Sequence, residues 1–432
     1  MKSLLRQAVL CFGLCAMLFP FMTHAATPRE DAPLAGAAEL AANPQATGAL
    51  AWFAQNAVWI TGEQVRLVEI PAPTFHEAER AAEVKKLLES AGLRVHADGA
   101  GNVIGELAGA RDTDVVILSA HLDTVFPLST DVHVRREGSR LLGPGISDNG
   151  AGIGGLIALA KAIQAAHIKP QRTILYVANV GEEGEGNLAG IRAVMDSYSG
   201  RIRCLIALDG AATDYVTTMA LASHRLEVIV SGPGGHSWSD FGMPNPISAA
   251  ARALVRFAGY RAPESPRTTF NIGEIEGGNS VNSIPHEVRF KVDMRSEDSA
   301  EIAKMEAALR DAVDAGVSEE MAAARDRSKG KLEWKFRRMG ERPGGSLAAG
   351  SPLLAALRDA DRFLGNESRL ERASTDANVP LALGVDAIAL GAGGASGAAH
   401  SLREWYDPTG RELGLKRVLL TVLAMSGIAP AP

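Results

Sequence analysis

The sequence predicts an α/β protein: a mostly parallel sheet covered by helices, with a smaller α+β domain of ferredoxin-like order set into it. Three observations carry this. Short continuous apolar runs at 115–119, 174–180 and 204–208 alternate with helical stretches, the pattern of strands buried on both faces. Beyond residue 223 the order becomes strand-helix-strand-strand-helix-strand, and the α/β alternation returns only after 342. A chain of 432 residues also exceeds what one hydrophobic core usually supports.

Taken in order, the first element is an export signal. Lys2 and Arg6 precede an apolar run over 8–22, which ends in Thr23-His24-Ala25-Ala26. A positive start, an apolar stretch and small residues at the exit mark a secretory signal over 1–25 and a periplasmic or secreted protein. The other reading, a membrane anchor, meets a run of about 15 residues where a span needs about 20, and Pro20 interrupts it. No stable membrane anchor is therefore expected. Residues 26–46, rich in Ala, Pro and Asp, read as a flexible leader. Cys11 and Cys15 leave with the signal, so Cys204 stands alone and no disulfide or cysteine cluster can form.

The catalytic domain is expected in two parts, 47–222 and 343–432. The first holds helices at 50–68 and 77–91, then strand 115–119, helix 151–166, strand 174–180, helix 188–195 and strand 204–208. Between the parts, 223–342 carries strand 226–230, helix 247–260, strands 268–275 and 288–294, helix 300–315 and strand 331–338. The return holds helix 353–364, strand 386–390 and helix 412–425, with 344–350 as the hinge and 322–330 as a charged surface loop. A net charge of −6 and scattered basic residues exclude a nucleic-acid binder.

Acidic and histidine residues gather at the predicted carboxyl ends of strands, the edge where open α/β sheets bind ligands. His121 and Asp123 follow 115–119, Glu182 and Glu183 follow 174–180, and Asp209 follows 204–208. Asp148 lies in a glycine-flanked loop before helix 151–166, and His400 in the glycine-rich loop after 386–390. Crowded carboxylates repel unless a cation compensates them, and oxygen and imidazole donors suit zinc or a similar divalent ion. Each residue alone has a plainer reading; Asp209-Gly210, for example, is a good turn dipeptide.

The segments themselves resemble the M20 metallopeptidases, closest to the peptidase-T-like branch. Ser119-Ala120-His121-Leu122-Asp123-Thr124-Val125 is similar to their first metal signature, and Asp148-Asn149-Gly150-Ala151-Gly152 to their bridging-aspartate loop. Gly181-Glu182-Glu183-Gly184 resembles their acidic pair, Gly232-Pro233-Gly234-Gly235-His236-Ser237-Trp238 their lid motif, and Ala399-His400-Ser401-Leu402-Arg403-Glu404-Trp405 their last histidine motif. The resemblance implies two divalent metal ions, zinc first and cobalt or manganese as alternatives. One would be held by Asp148, Glu183 and His400, the other by Asp148, Asp209 and His121. Asp123 would orient His121 through its second ring nitrogen. Glu182 would be the general base acting on a metal-bridged water. Asp at 209 is closer to the aminopeptidase and dipeptidase branches than to the glutamate-releasing carboxypeptidases.

For the inserted domain the resemblance implies a lid and dimerisation unit. His236 would reach the site of a partner subunit, Asn282 would contact substrate, and Arg295 would pair with a substrate carboxylate. By itself Gly232–Trp238 also reads as a tight turn and Arg295 as a surface arginine. The implied activity is an exported exopeptidase acting on short peptides as a homodimer. An N-acyl-amino-acid deacylase of the same family is the alternative, ahead of an inactive binding relative.

Overall fold

The computed structural model describes residues 33–430. The signal-peptide reading at 1–25, and the leader reading as far as residue 32, lie outside the described residues. No described helix is long and apolar enough to cross a membrane.

The leader reading does not hold from residue 33 on. Helices Ala37–Ala42 and Pro44–Gln55 occupy that stretch, and Ala37, Leu40, Ala46 and Ala49 are buried. Asn43 caps the second helix, accepting from the backbone N–H of Gln45 at 2.9 Å. Leu34 N donates to Ala424 O at 2.8 Å, which lays the segment along the C-terminal helix Arg411–Ser426. The alanines that made it look like linker are the small side chains this close helix packing requires. The single helix expected over 50–68 is two, Pro44–Gln55 and Ala57–Val68, joined at Asn56.

Among the described residues, the main sheet has nine strands. Its centre is parallel, in the order Arg172–Asn179, Arg111–His121, Ile202–Leu208 and Ala387–Leu390. Register sets the functional edge. His121 lies opposite Asn179, Ser119 opposite Ala207, and Leu208 opposite Leu390, so these strands end at nearly one level. Residues 115–121, 173–179, 202–208 and 387–390 of these strands are buried and mostly apolar, as two-sided cover demands. Antiparallel strands Arg94–Ala97 and Val103–Leu107 extend one side, and Tyr215–Ala220, Gly345–Ser346 and Arg369–Ala373 the other. None of these flanking strands is marked in the sequence by a continuous apolar run, because each borders solvent or mixed surroundings.

Helix Gly150–Ala165 backs the edge. Asn149 caps it, accepting from Gly152 N at 3.1 Å. A Cβ at Gly152 would sit 2.6 Å from Leu208 O, so glycine lets the helix start press against the strand that delivers Asp209. A separate small sheet, Ala395–Gly397 with Trp405–Asp407, Arg140–Leu142 and Arg135–Glu137, ties the loop of His400 to the approach of Asp148.

The inserted domain is an antiparallel sheet in the order Thr268–Gly277, Glu287–Ser296, Ala222–Ser231, Glu333–Arg342. Numbered by sequence this is 2-3-1-4, the ferredoxin-like arrangement. Helices Pro246–Ala258 and Ser299–Ala323 cover one face, burying Val228, Phe257, Phe290, Met305 and Leu309 in a core of their own. Both connections to the main domain pass one point, where Ser223 lies opposite Arg342.

Candidate active site

At the carboxyl edge of the sheet a cavity of about 130 Å³ is lined by His121, Asp148, Glu182, Glu183, Asp209 and His400 from the main domain. Arg225, Arg295 and Arg342, together with Ser374, complete its wall. The Asp148 carboxylate divides the donors in two. Its Oδ2 lies 3.0 Å from His400 Nε2, which is also 2.9 Å from Glu183 Oε1. Its Oδ1 lies 3.2 Å from His121 Nε2, which in turn is 4.0 Å from Asp209 Oδ1. The five residues expected as ligands thus fall into two sets sharing Asp148.

The electrostatics follow from this crowding. Burial works against a charged His121, yet Asp123 and Asp148 raise it well above the ordinary histidine value. His400 is raised to about 10 by Asp148 and Glu183. Burial, then the Asp148 charge, pushes Asp209 up to about 7. Burial also opposes the charge on Asp148, but the flanking histidines prevail and hold it well below the carboxylate range. The histidines are thus held toward their cationic form by the carboxylates around them.

The site fits a divalent metal. Donor atoms of His121, Asp148 and Glu183 all lie within 4.8 Å of one another. Asp148 Oδ1 is buried and makes no hydrogen bond, an oxygen left for a cation. An oxygen and imidazole donor set suits zinc, cobalt or manganese alike.

Glu182 stands apart from these five residues. It is buried, and Arg342 Nη1 lies 2.9 Å from its Oε1. Burial raises Glu182 well above its ordinary value, while Arg342 and His121 oppose the rise.

Asp123 meets His121 through both its main chain and its carboxylate. His121 Nδ1 is 3.1 Å from the backbone carbonyl of Asp123 and 3.6 Å from its carboxylate. The carboxylate also accepts from Glu182 N at 3.0 Å, Glu183 N at 2.9 Å and the Thr74 hydroxyl at 2.8 Å. Its contacts place it as the anchor of the acidic pair, while its main chain orients the imidazole.

Of the three inserted-domain residues expected at the site, Arg295 lines the cavity and His236 and Asn282 do not; Arg295 Nε lies 2.7 Å from Asp293 Oδ2. His236 lies in the short strand Gly235–His236, opposite Ser283, and Ser237 N donates to Asn282 O at 3.0 Å. His236 and Asn282 thus sit together on an exposed tip and contribute nothing to this chain's own cavity wall.

Several residues that build the site escaped the sequence reading. Glu404, fully buried, accepts from Gly145 N and Ser147 N at 2.8 Å and from Asp148 N at 2.9 Å, and burial raises it to about 7. Four residues from His400, it binds two ligand-bearing loops together. Asp376 is buried beside Asn179 at 2.8 Å and raised to about 6 by burial. Glu404 stands within the histidine motif and Asp376 follows Thr375, yet neither spacing reveals a partner. Arg342 has no local signal at all.

Imidazole and carboxylate donors delivered by separate loops to one edge of an α/β sheet define a metal-dependent hydrolase of the peptidase and amidohydrolase class. The chain belongs to peptidase family M20/M25/M40, whose sequence pattern matches residues 117–423. YqjE of Bacillus subtilis is 26% identical over 354 residues, 77% of this chain and 89% of its own length. A tripeptidase from Staphylococcus aureus shares the fold at a TM-score of 0.70 and 20% identity, over 85% of this chain and 98% of that one. The aminopeptidase PepT of Bacillus cereus does so at 0.66 and 22%, with the same coverage.

Proposed function

We propose that this chain is an exported exopeptidase that uses two divalent metal ions, zinc first, to hydrolyse amide bonds in short peptides. The observation that carries the reading is the division of donors about Asp148, with Glu182 next to them but engaged by Arg342 instead. Asp148, Glu183 and His400 would hold one ion and Asp148, Asp209 and His121 the other. When bound, such ions polarise a scissile carbonyl and make water a better acid. Glu182 takes the proton from the attacking water and returns it to the nitrogen of the leaving amine. Arg342 occupies its Oε1, leaving the second oxygen for that transfer. Arg295 receives a substrate carboxylate on the guanidinium edge that Asp293 does not use.

His236 and Asn282, exposed on their tip, serve the cavity of a second subunit, so the active form is a homodimer whose inserted domain acts as a lid. Export rests on the Lys2, Arg6 and apolar-run pattern, and N-terminal sequencing of native protein should begin near Ala26. The named similarity to a tripeptidase and an aminopeptidase favours peptides over N-acyl amino acids. Metal-loaded enzyme incubated with di-, tri- and N-acetyl-peptides, read by mass spectrometry, tests this. Release of one terminal residue from free peptides, abolished by chelators, is expected; turnover of acetylated substrates alone would make the chain a deacylase.

A further inference from the structure

We infer that Arg342 couples the position of the inserted domain to the orientation of Glu182, and so acts as a positioning residue for the general base. The inference rests on the reading of Glu182 as that base. Arg342 ends the last strand of the inserted domain, opposite Ser223, exactly where both connections cross between domains. From this hinge its guanidinium reaches into the main domain and is buried there. Nη1 lies 2.9 Å from Glu182 Oε1 and 3.0 Å from Ser374 Oγ, and Nη2 donates to the backbone carbonyl of Glu182 itself. One rigid planar fork therefore grips a residue by side chain and main chain together, which fixes the direction of its carboxylate.

The neighbouring cross-domain bonds land on the same segment. Arg225 Nη1 donates to Gly184 O at 2.6 Å, and Glu341 N to Asn187 Oδ1 at 2.8 Å. Arg192 Nη2, just beyond it, donates to Glu341 O at 2.7 Å. The inserted domain thus grips 182–187 at its hinge by the Glu182 side chain and carbonyl, with Asp123 holding the N–H groups of Glu182 and Glu183, whereas Asn149 and Glu404 of the main domain brace the Asp148 loop. Rotation about the hinge acts on 182–187 and leaves the Asp148 loop in place.

The test uses the full mature chain with Arg342→Lys, Arg342→Ala and Ser374→Ala. Lysine keeps the charge but cannot span Oε1, the carbonyl and Ser374 Oγ at once. A displacement of about 1 Å at a reacting group costs on the order of 100-fold. With the most rapidly cleaved peptide of the panel, kcat should fall by about that factor in Arg342→Ala. KM should stay within about threefold and both metals should remain by elemental analysis. Guanidinium ion added to Arg342→Ala should recover part of kcat, and none in Glu182→Gln. Hydrogen exchange of 182–187 should quicken in Arg342→Lys without change at 145–150. Unchanged kcat and exchange in the Arg342 variants would overturn the inference, as would loss of metal in parallel with activity. A fully active Glu182→Gln would instead remove the base reading beneath it.

Discussion

Replacing Asp123 by Asn decides between two accounts of this residue. In the structure both carboxylate oxygens are used, one by Glu182 N and the other by Glu183 N and Thr74 Oγ1, and the side chain is fully buried. Burial works against its charge, yet His121 and these N–H groups hold its pKa below the ordinary aspartate value, so the anion is present at neutral pH. Asparagine keeps the shape but turns one oxygen into a donor. Whichever way it faces, one backbone N–H of the acidic pair meets an NH₂ group. Hydrogen bonds to charged groups are worth about 1.5–3 kcal/mol each, and a stranded buried donor costs about 1–3 kcal/mol. The sum acting on the 182–183 segment is about 2.5–6 kcal/mol, or roughly 60- to 20,000-fold at 1.4 kcal/mol per decade. That loss should fall on the ion held by Glu183 and on kcat through Glu182. The His121 imidazole, oriented by the Asp123 main-chain carbonyl, keeps its partner in the variant. Chelator-competition titration of Zn²⁺ with parallel kcat measurement is the assay. Asp123→Asn should weaken one ion strongly and the other little, and Thr74→Val, which removes a single neutral donor, should cost about 1 kcal/mol. Equal weakening of both ions, or normal kcat with both retained, would refute the anchoring argument.

Three further outcomes are expected. Glu182→Gln should retain both ions and lose on the order of 10²–10⁴ in kcat, since the proton carrier goes while the ligands stay; elemental analysis with steady-state kinetics checks it. Metal uptake should release protons, because His400, raised to about 10, must become neutral to ligate and Asp209, at about 7, must become anionic. Apparent affinity should therefore rise with pH up to about 10, and calorimetric heats at pH 8 should scale with buffer ionisation enthalpy; identical heats in all buffers would contradict the site electrostatics. Inactive His236→Ala and Glu182→Gln chains, mixed under subunit exchange, should regain activity in heterodimers that pair Glu182 of one chain with His236 of the other. No recovery after proven exchange would exclude the cross-subunit role.

The sequence by itself determined the alternation of strand and helix, the inserted order after 223, and the acidic and histidine residues at strand ends. Those features are local: a fully buried strand must be continuously apolar, and its last residue must turn into a loop, so Asp209 directly after 202–208 is legible without a fold. The expectation that His121, Asp148, Glu183 and His400 act together came from motif resemblance, and the structure brings these four side chains to one cavity. Segment 33–46 was misread since alanine-rich helices and linkers share composition, and only packing on Arg411–Ser426 separates them. What the tertiary structure alone decided is which groups brace the chemistry. Arg342 meets Glu182 across 160 residues, and Glu404 meets the Asp148 loop across 256. Asp123 bonds the main-chain N–H groups of the acidic pair as well as facing the histidine two positions away. The reason is that a buried charge takes whichever donors the packed loops bring to it, and that choice is made in three dimensions after the local structure is fixed.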